Sequence, residues 1–162
     1  MTDFRLGKVD LRAVATCERD GGTPLQAAVQ RITDIEVARE YIAHINFTML
    51  KEKLLMSVEE GGHGWSIEMA DKAEVKYKKW LFLKLKHENV LIPPPNDIDT
   101  FWHGHILDTQ AYMRDTAAIF GQYVHHYPYF GIRGKADQQK LREAFENTKR
   151  LYREEYGEDV TE

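Results

Sequence analysis

The sequence contains very little cysteine: Cys17 is the single one among 162 residues. One thiol cannot form a disulfide within the chain, and it cannot provide a metal site made of thiolates alone. Nothing in this composition therefore requires an oxidising compartment. It also means that any metal ion bound by the chain would be held by imidazole and carboxylate groups.

The sequence also lacks long apolar runs and an excess of positive charge. Its longest apolar stretch, residues 80–85, is interrupted by Lys84, whereas a membrane helix requires roughly 18 or more apolar residues. Residues 1–10 are charged and have no apolar core of the kind found in signal peptides. Lysine and arginine number 22 against 26 acidic residues, a formal net charge of −4. We therefore expect a cytoplasmic protein with no membrane and no nucleic-acid partner.

What the sequence does contain is a series of helix signals. Hydrophobic residues make up 43% of the chain and charged residues 30%, which is ordinary for a folded globular protein. Caps, apolar residues three or four apart, and glycine or proline breaks predict one all-α domain over residues 1–162. It is predicted to be a bundle of four to five helices, with an N-terminal arm at residues 1–22 and an irregular loop rich in histidine and aromatic residues. The predicted helices are a short one from Thr23-Pro24, and longer ones from Thr33-Asp34 to Gly61, Ser66 to Lys86, Asn96 to Phe120 and Asp137 to Tyr156.

Histidine is concentrated in one segment, because four of the seven histidines lie between positions 103 and 126. We take residues 99–134 as the candidate site. On a regular helix, Asp99 and His103 share a face, whereas His105 lies about 200° from His103. Two arrangements are therefore open. Either Asp99 and His103 face the site, as two metal ligands or as a ligand and its orienting partner, or the face that carries His105 and Tyr112 does.

The adjacent pair His125 and His126 follows in a segment predicted to be extended, where neighbouring side chains diverge. Only one of the two is therefore expected to reach a given centre. Two helix residues plus one loop histidine would give three protein ligands and leave a position open for water or substrate, as in catalytic sites. Imidazole and carboxylate donors suit a divalent transition metal, Zn or Fe ahead of Cu.

The same residues also fit a structural interpretation. Histidine beside tryptophan on an amphipathic helix is commonly a hydrogen-bonded core residue, and an Asp99–His103 pair contributes little when it is exposed. Arg133, in a glycine-flanked loop, fits either a contact to a substrate carboxylate or an ion pair with Asp115. Spacing alone favours the structural interpretation.

A longer pattern resembles a known family. Asp-x-x-Trp-His-x-His is followed by Thr-x-x-Tyr-x-x-Asp, then Phe-Gly and His-His-x-Pro. This arrangement resembles the glycine-rich domain-containing protein-like family, whose bacterial and plant members carry it as a helical module of unassigned function. The resemblance covers about residues 70–134 and implies that the histidines serve a site, since packing alone tolerates apolar substitutes. The matching positions are Asp99, Trp102, His103, His105, Thr109, Tyr112, Asp115, Gly121, His125, His126 and Pro128.

Together these observations predict a metal-binding protein that is a metal-dependent enzyme, of oxygenase type or hydrolytic, acting on a small molecule or a peptide. The alternative is a noncatalytic module that binds a partner protein and uses its histidines structurally. A metal-free acid–base enzyme with His103 paired to Asp99 ranks below both. The predicted metal ligands are His103, His126, Asp99 and His125, and the predicted catalytic residues are His105, Tyr112 and Arg133, the first two as proton donors or substrate contacts.

Overall fold

A computed structural model describes residues 29–162, and this part of the chain contains six α-helices and no strand. The prediction of an all-α fold is thereby confirmed. The predicted arm at residues 1–22 and the helix start at Thr23-Pro24 lie outside the described residues. The helices are α1 (Ile35–His44), α2 (Thr48–Leu55), α3 (Ile67–Lys86), α4 (Asn96–Leu107), α5 (Thr109–Phe120) and α6 (Lys135–Tyr156).

The predicted count of four to five helices is wrong because two of the predicted helices are each divided in two. The first division falls after His44, where the chain leaves α1 and re-enters a helix at Thr48. The side chain of Asn46 accepts a hydrogen bond from the Thr48 backbone N–H at 2.9 Å. A short amide side chain that bonds its own backbone competes with helix continuation. Ile45 and Phe47 both turn into the core at this break.

The second division falls at Asp108, between α4 and α5. Asp108 has φ −80° and ψ 70°, and its side chain accepts a hydrogen bond from the backbone N–H of Ala111. It therefore caps a new helix instead of continuing the old one. The turn is one residue long and folds α5 back so that Tyr112 meets His105, with ring centroids 5.0 Å apart.

The remaining helix limits agree closely with the prediction. Ser66 caps α3, its hydroxyl accepting from the Met69 backbone N–H at 3.2 Å. The three prolines from 93 to 95 form a non-helical connector between α3 and α4, as their sequence predicts. The last helix begins at Lys135, two residues earlier than predicted, and ends at Tyr156 before Gly157.

The long helix α3 is central and packs against α1, α2, α4 and α6. Its buried side chains Tyr77 and Trp80 form the middle of the core, where Tyr77 lies 5.3 Å from Phe101 of α4 by ring centroids. The Trp80 indole N–H donates to the Ile92 carbonyl at 3.1 Å and so attaches the proline connector to α3. This packing sets where α4, the helix with the histidines, begins. Within residues 29–162, no helix combines the length and the apolar composition needed to cross a bilayer.

Candidate metal centre

The first half of the candidate site is one exposed face of α4. Asp99 lies in the first turn, where the helix dipole favours a negative charge. His103 follows one turn later, and its Nε2 lies 3.7 Å from Asp99 Oδ2. The sequence left open which face of α4 belongs to the site, and the structure brings His126 to the face of Asp99 and His103.

The second half comes from the loop between α5 and α6, residues 121–134, here called the His126 loop. Nε2 of His126 lies 3.0 Å from Nε2 of His103 and 3.3 Å from Asp99 Oδ1. The three side chains each offer one ligand atom, and these atoms lie within 4.8 Å of one another. Asp99, His103 and His126 therefore form a group that could hold a metal ion.

The dimensions of this group fit a transition metal. Ligands about 2.0–2.1 Å from a tetrahedral Zn²⁺ lie about 3.3 Å from one another. The two imidazole Nε2 atoms are 3.0 Å apart and His126 Nε2 is 3.3 Å from Asp99 Oδ1, both close to that value. The carboxylate oxygen nearest His103 is the other one, Oδ2, at 3.7 Å, and with one atom from each residue all three lie within 4.8 Å of one another. The His126 side chain is 18% exposed and the His103 side chain 49% exposed, so the group opens to solvent on the His103 side. Three protein ligands on one side leave coordination positions free on that open side.

His126 is supported from below by the core. Its ring lies 4.5 Å from the Trp102 ring by centroids, and the Trp102 indole is almost fully buried. The Trp102 N–H donates to the hydroxyl of Tyr112 at 2.9 Å, and that hydroxyl donates to the Val124 carbonyl at 2.6 Å. Burial raises the pKa of Tyr112 to about 12. The side chain has no exposure to solvent, and its hydroxyl keeps its proton at neutral pH.

His105 points to the opposite side of α4 and is buried. Its Nδ1 lies 2.9 Å from the hydroxyl of Tyr77, and its Nε2 lies 3.2 Å from Asp115 Oδ2. In this geometry Nδ1 can accept from the tyrosine hydroxyl while Nε2 donates to the carboxylate. The two histidines of the His-x-His sequence thus belong to two different environments, as helix geometry predicts.

Asp115 is the centre of that buried environment. It also accepts from the Tyr41 hydroxyl at 2.7 Å and from Arg114, whose Nε lies 2.9 Å away. Burial alone would raise the pKa of Asp115, but the hydrogen bonds from His105, Arg114 and Tyr41 outweigh it and hold this pKa below its ordinary value. The sequence did not predict this network, because Tyr41 and Tyr77 lie on other helices and no spacing along the chain relates them to Asp115.

The predicted alternative of an ion pair between Arg133 and Asp115 is wrong. Arg133 pairs with Asp137, one helical turn further along the chain, at 2.7 Å, and Asp115 is paired with its neighbour Arg114. Asp137 also accepts from the backbone N–H groups of Gly131 and Arg133, and so fixes the end of the His126 loop to α6. The Arg133 side chain is 58% exposed, which leaves its outer face open to solvent.

The other predicted ligand, His125, lies outside the group. It is exposed, and its ring lies 4.9 Å from that of Tyr123. Adjacent residues in the extended loop diverge, so the turn that brings His126 to Asp99 directs His125 away from it.

Comparison of the chain with models of protein families, with curated proteins and with solved structures found no match in any of the three.

Proposed function

We propose that the protein binds a divalent transition metal through Asp99, His103 and His126. The observation that carries the proposal is the convergence of two imidazole Nε2 atoms and one carboxylate from a helix and a loop, at separations close to a tetrahedral edge. Two histidines and one carboxylate are the donor set of catalytic zinc sites and of non-haem iron oxygenases. Zn²⁺ or Fe²⁺ is therefore preferred over Cu²⁺.

The open side of the group favours catalysis over a purely structural metal. Structural zinc sites are closed by four protein ligands, whereas catalytic ones keep a free position. A bound Zn²⁺ would supply Lewis acidity for hydrolysis, and Fe²⁺ would supply oxygen chemistry. The role of this chain's residues is to hold the ion by one face and leave the solvent side of His103 open for a small molecule or a peptide.

Of the three predicted catalytic residues, two are buried and one, Arg133, is exposed. His105 and Tyr112 are buried, so in this proposal they support the ligands and do not contact the substrate. The exposed guanidinium of Arg133 remains the proposed contact for a substrate carboxylate, with Asp137 fixing its inner face. Membership of the glycine-rich domain-containing protein-like family also remains a proposal, supported by the motif between Asp99 and Pro128.

A second function is favoured by the outer surface of the His126 loop. Large side chains there are exposed: Tyr127 by 53%, Tyr129 by 56% and Ile132 by 74%. Tyrosine is enriched where proteins bind one another. The alternative proposal is therefore a noncatalytic module in which this loop contacts a partner protein and His103 and His126 only pin the loop to α4.

Elemental analysis of untagged protein tests the metal proposal. We expect about one Zn or Fe per chain in the wild type, and loss of that metal in Asp99→Ala, His103→Ala and His126→Ala. His125→Ala is the matched control, because it removes the neighbouring imidazole that lies outside the group, and it should keep the metal. Co²⁺ titration followed by visible absorption gives an independent measure of the same site.

Absence of metal from aerobic and anaerobic preparations, with no Co²⁺ binding by the folded wild type, would refute the proposal and favour the interaction module. Equal metal loss in His125→Ala would also contradict it, because the ligands would then differ from the group described. Activity assays against peptides and small esters under nitrogen and in air then separate hydrolysis from oxygen chemistry.

A further inference from the structure

We propose that Tyr112 is a positioning residue for the metal site: its buried hydroxyl holds the backbone carbonyl of Val124 and thereby places His126 over Asp99 and His103. The inference rests on the metal-binding function proposed above. Tyr112 itself contacts neither the ligand atoms nor the solvent side of the group. It would act through the loop backbone alone.

The His126 loop has few other attachments near His126. Within the described residues 29–162, the backbone of residues 122–128 makes a single hydrogen bond. Its donor is the Tyr112 hydroxyl and its acceptor is the Val124 carbonyl. The next fixed point is Gly131, whose N–H donates to Asp137. A segment without backbone pairing is held in one conformation only by such individual contacts. Val124 is two residues from His126, so its carbonyl governs where the imidazole lies.

The Tyr112 hydroxyl is itself fixed from two directions. It accepts from the Trp102 indole N–H at 2.9 Å and donates to Val124 at 2.6 Å, with no exposure of the side chain. The same indole ring lies 4.5 Å from the His126 ring by centroids. A continuous set of contacts therefore links α4, α5 and the His126 loop. It runs from Trp102 to Tyr112, from Tyr112 to Val124, and from His126 back to the Trp102 ring.

Only the hydroxyl of Tyr112 can accept from the Trp102 N–H and donate to the Val124 carbonyl at the same time. Phenylalanine at position 112 would keep the ring packing against His105 but would leave the Trp102 N–H and the Val124 carbonyl unpaired. Buried polar groups left without partners are costly, so the loop would shift to find water for its carbonyl. Ligand geometry would then loosen. Loss of a group that orients a metal ligand commonly weakens metal affinity by about 10- to 100-fold.

Co²⁺ affinity of Tyr112→Phe, compared with the wild type, tests the inference. Tyr156→Phe is the matched control, since Tyr156 also donates to a backbone carbonyl, that of Lys79 at 2.9 Å, but far from the loop. We expect the Kd for Co²⁺ to rise about 10- to 100-fold in Tyr112→Phe and to stay unchanged in Tyr156→Phe. Trp102→Phe, which removes both the donor to the hydroxyl and the indole ring beside His126, should also raise the Kd. Equal effects in Tyr112→Phe and Tyr156→Phe would show a merely structural role and overturn the proposal.

A metal-independent measurement separates this inference from the proposed function. Because the two rings lie 4.5 Å apart by centroids, the Trp102 ring current should shift the NMR signals of the His126 ring protons in the wild type. In Tyr112→Phe these signals should move toward those of an unconstrained histidine, and in Tyr156→Phe they should not. Unchanged signals in Tyr112→Phe would overturn the positioning role whether or not metal binds. A wild type that binds no Co²⁺, together with shifted signals, would refute the metal function and retain the placement of His126 by Tyr112.

Discussion

Nε2 of His103 lies 3.0 Å from Nε2 of His126, although the two residues are 23 positions apart in the chain. Without a metal ion, a hydrogen bond between the two nitrogens requires a proton on one of them, which it donates to the other. A metal ion would replace that single hydrogen bond by two coordinate bonds. It would thereby attach the His126 loop to α4 more firmly than the side chains do alone.

The first prediction is that a bound metal stabilises the fold. With free Co²⁺ or Zn²⁺ at about 100 times its Kd, the free energy of unfolding should rise by about 2.7 kcal/mol, because the ion binds the folded state only. Urea denaturation with and without metal measures the change. His125→Ala should show the full increase and His103→Ala none. An increase that survives in His103→Ala would mean that the stabilising ion binds elsewhere.

The second prediction concerns Asp115 and acid. Its pKa in the folded chain is below its ordinary value, whereas the unfolded chain titrates at about 3.9. As the pH falls through this range, the unfolded state takes up the proton first, so the free energy of unfolding declines and the contribution is lost below the folded pKa. At pH 7, Asp115→Asn should cost about 3 kcal/mol, because the ion pair with Arg114 is broken and the hydrogen bonds from His105 and Tyr41 lose their charged acceptor.

Urea midpoints of wild type and variant between about pH 7 and pH 2.5 test this sign. The difference between Asp115→Asn and the wild type should shrink as the pH drops below about 4. Asp71→Asn is the control: Asp71 is exposed and pairs with Lys51 at 2.8 Å, so its loss should cost no more than about 1 kcal/mol. A difference between Asp115→Asn and the wild type that is constant over the whole pH range would contradict the assignment.

Local sequence signals were sufficient for most of the fold, and the two failures share one cause. Ser66 and the three prolines act on the backbone within a few residues, so the limits of α3 could be predicted. Asn46 and Asp108 also act locally, but each lies inside an apolar pattern that continues through it on both sides. Periodicity therefore predicts one long helix where a polar side chain begins a second one.

The candidate site shows where sequence reasoning ends. Asp99 and His103 could be paired from their spacing of four, since a helix alone brings them together. The choice between His125 and His126 depends on how the loop is turned, and that turn is set by Tyr112 and Val124 across two elements. No pattern within the loop contains this information.

The third prediction tests the cap that separates α4 from α5. Asp108→Ala removes the side-chain acceptor for the Ala111 N–H and should cost about 1 kcal/mol. Asp108→Asn should cost much less, because asparagine caps helices about as well as aspartate. Thermal denaturation of the two variants measures the difference. Equal losses in both would mean that the charge of Asp108, and not its capping bond, is what matters.

The last prediction concerns Gly104, the residue between His103 and His105. A Cβ atom placed there would lie 2.6 Å from Cδ1 and 3.3 Å from Cγ of Leu50, so any side chain at position 104 meets the Leu50 side chain of α2. Gly104→Val should therefore destabilise the protein by about 1–3 kcal/mol through overpacking.

Leu50→Ala should relieve that loss, since it removes the atoms that the new methyl groups meet. The double variant should be more stable than the sum of the two single changes predicts, by about 0.5–3 kcal/mol, in urea denaturation. Strict additivity between positions 104 and 50 would show that the contact with Leu50 is not what destabilises Gly104→Val.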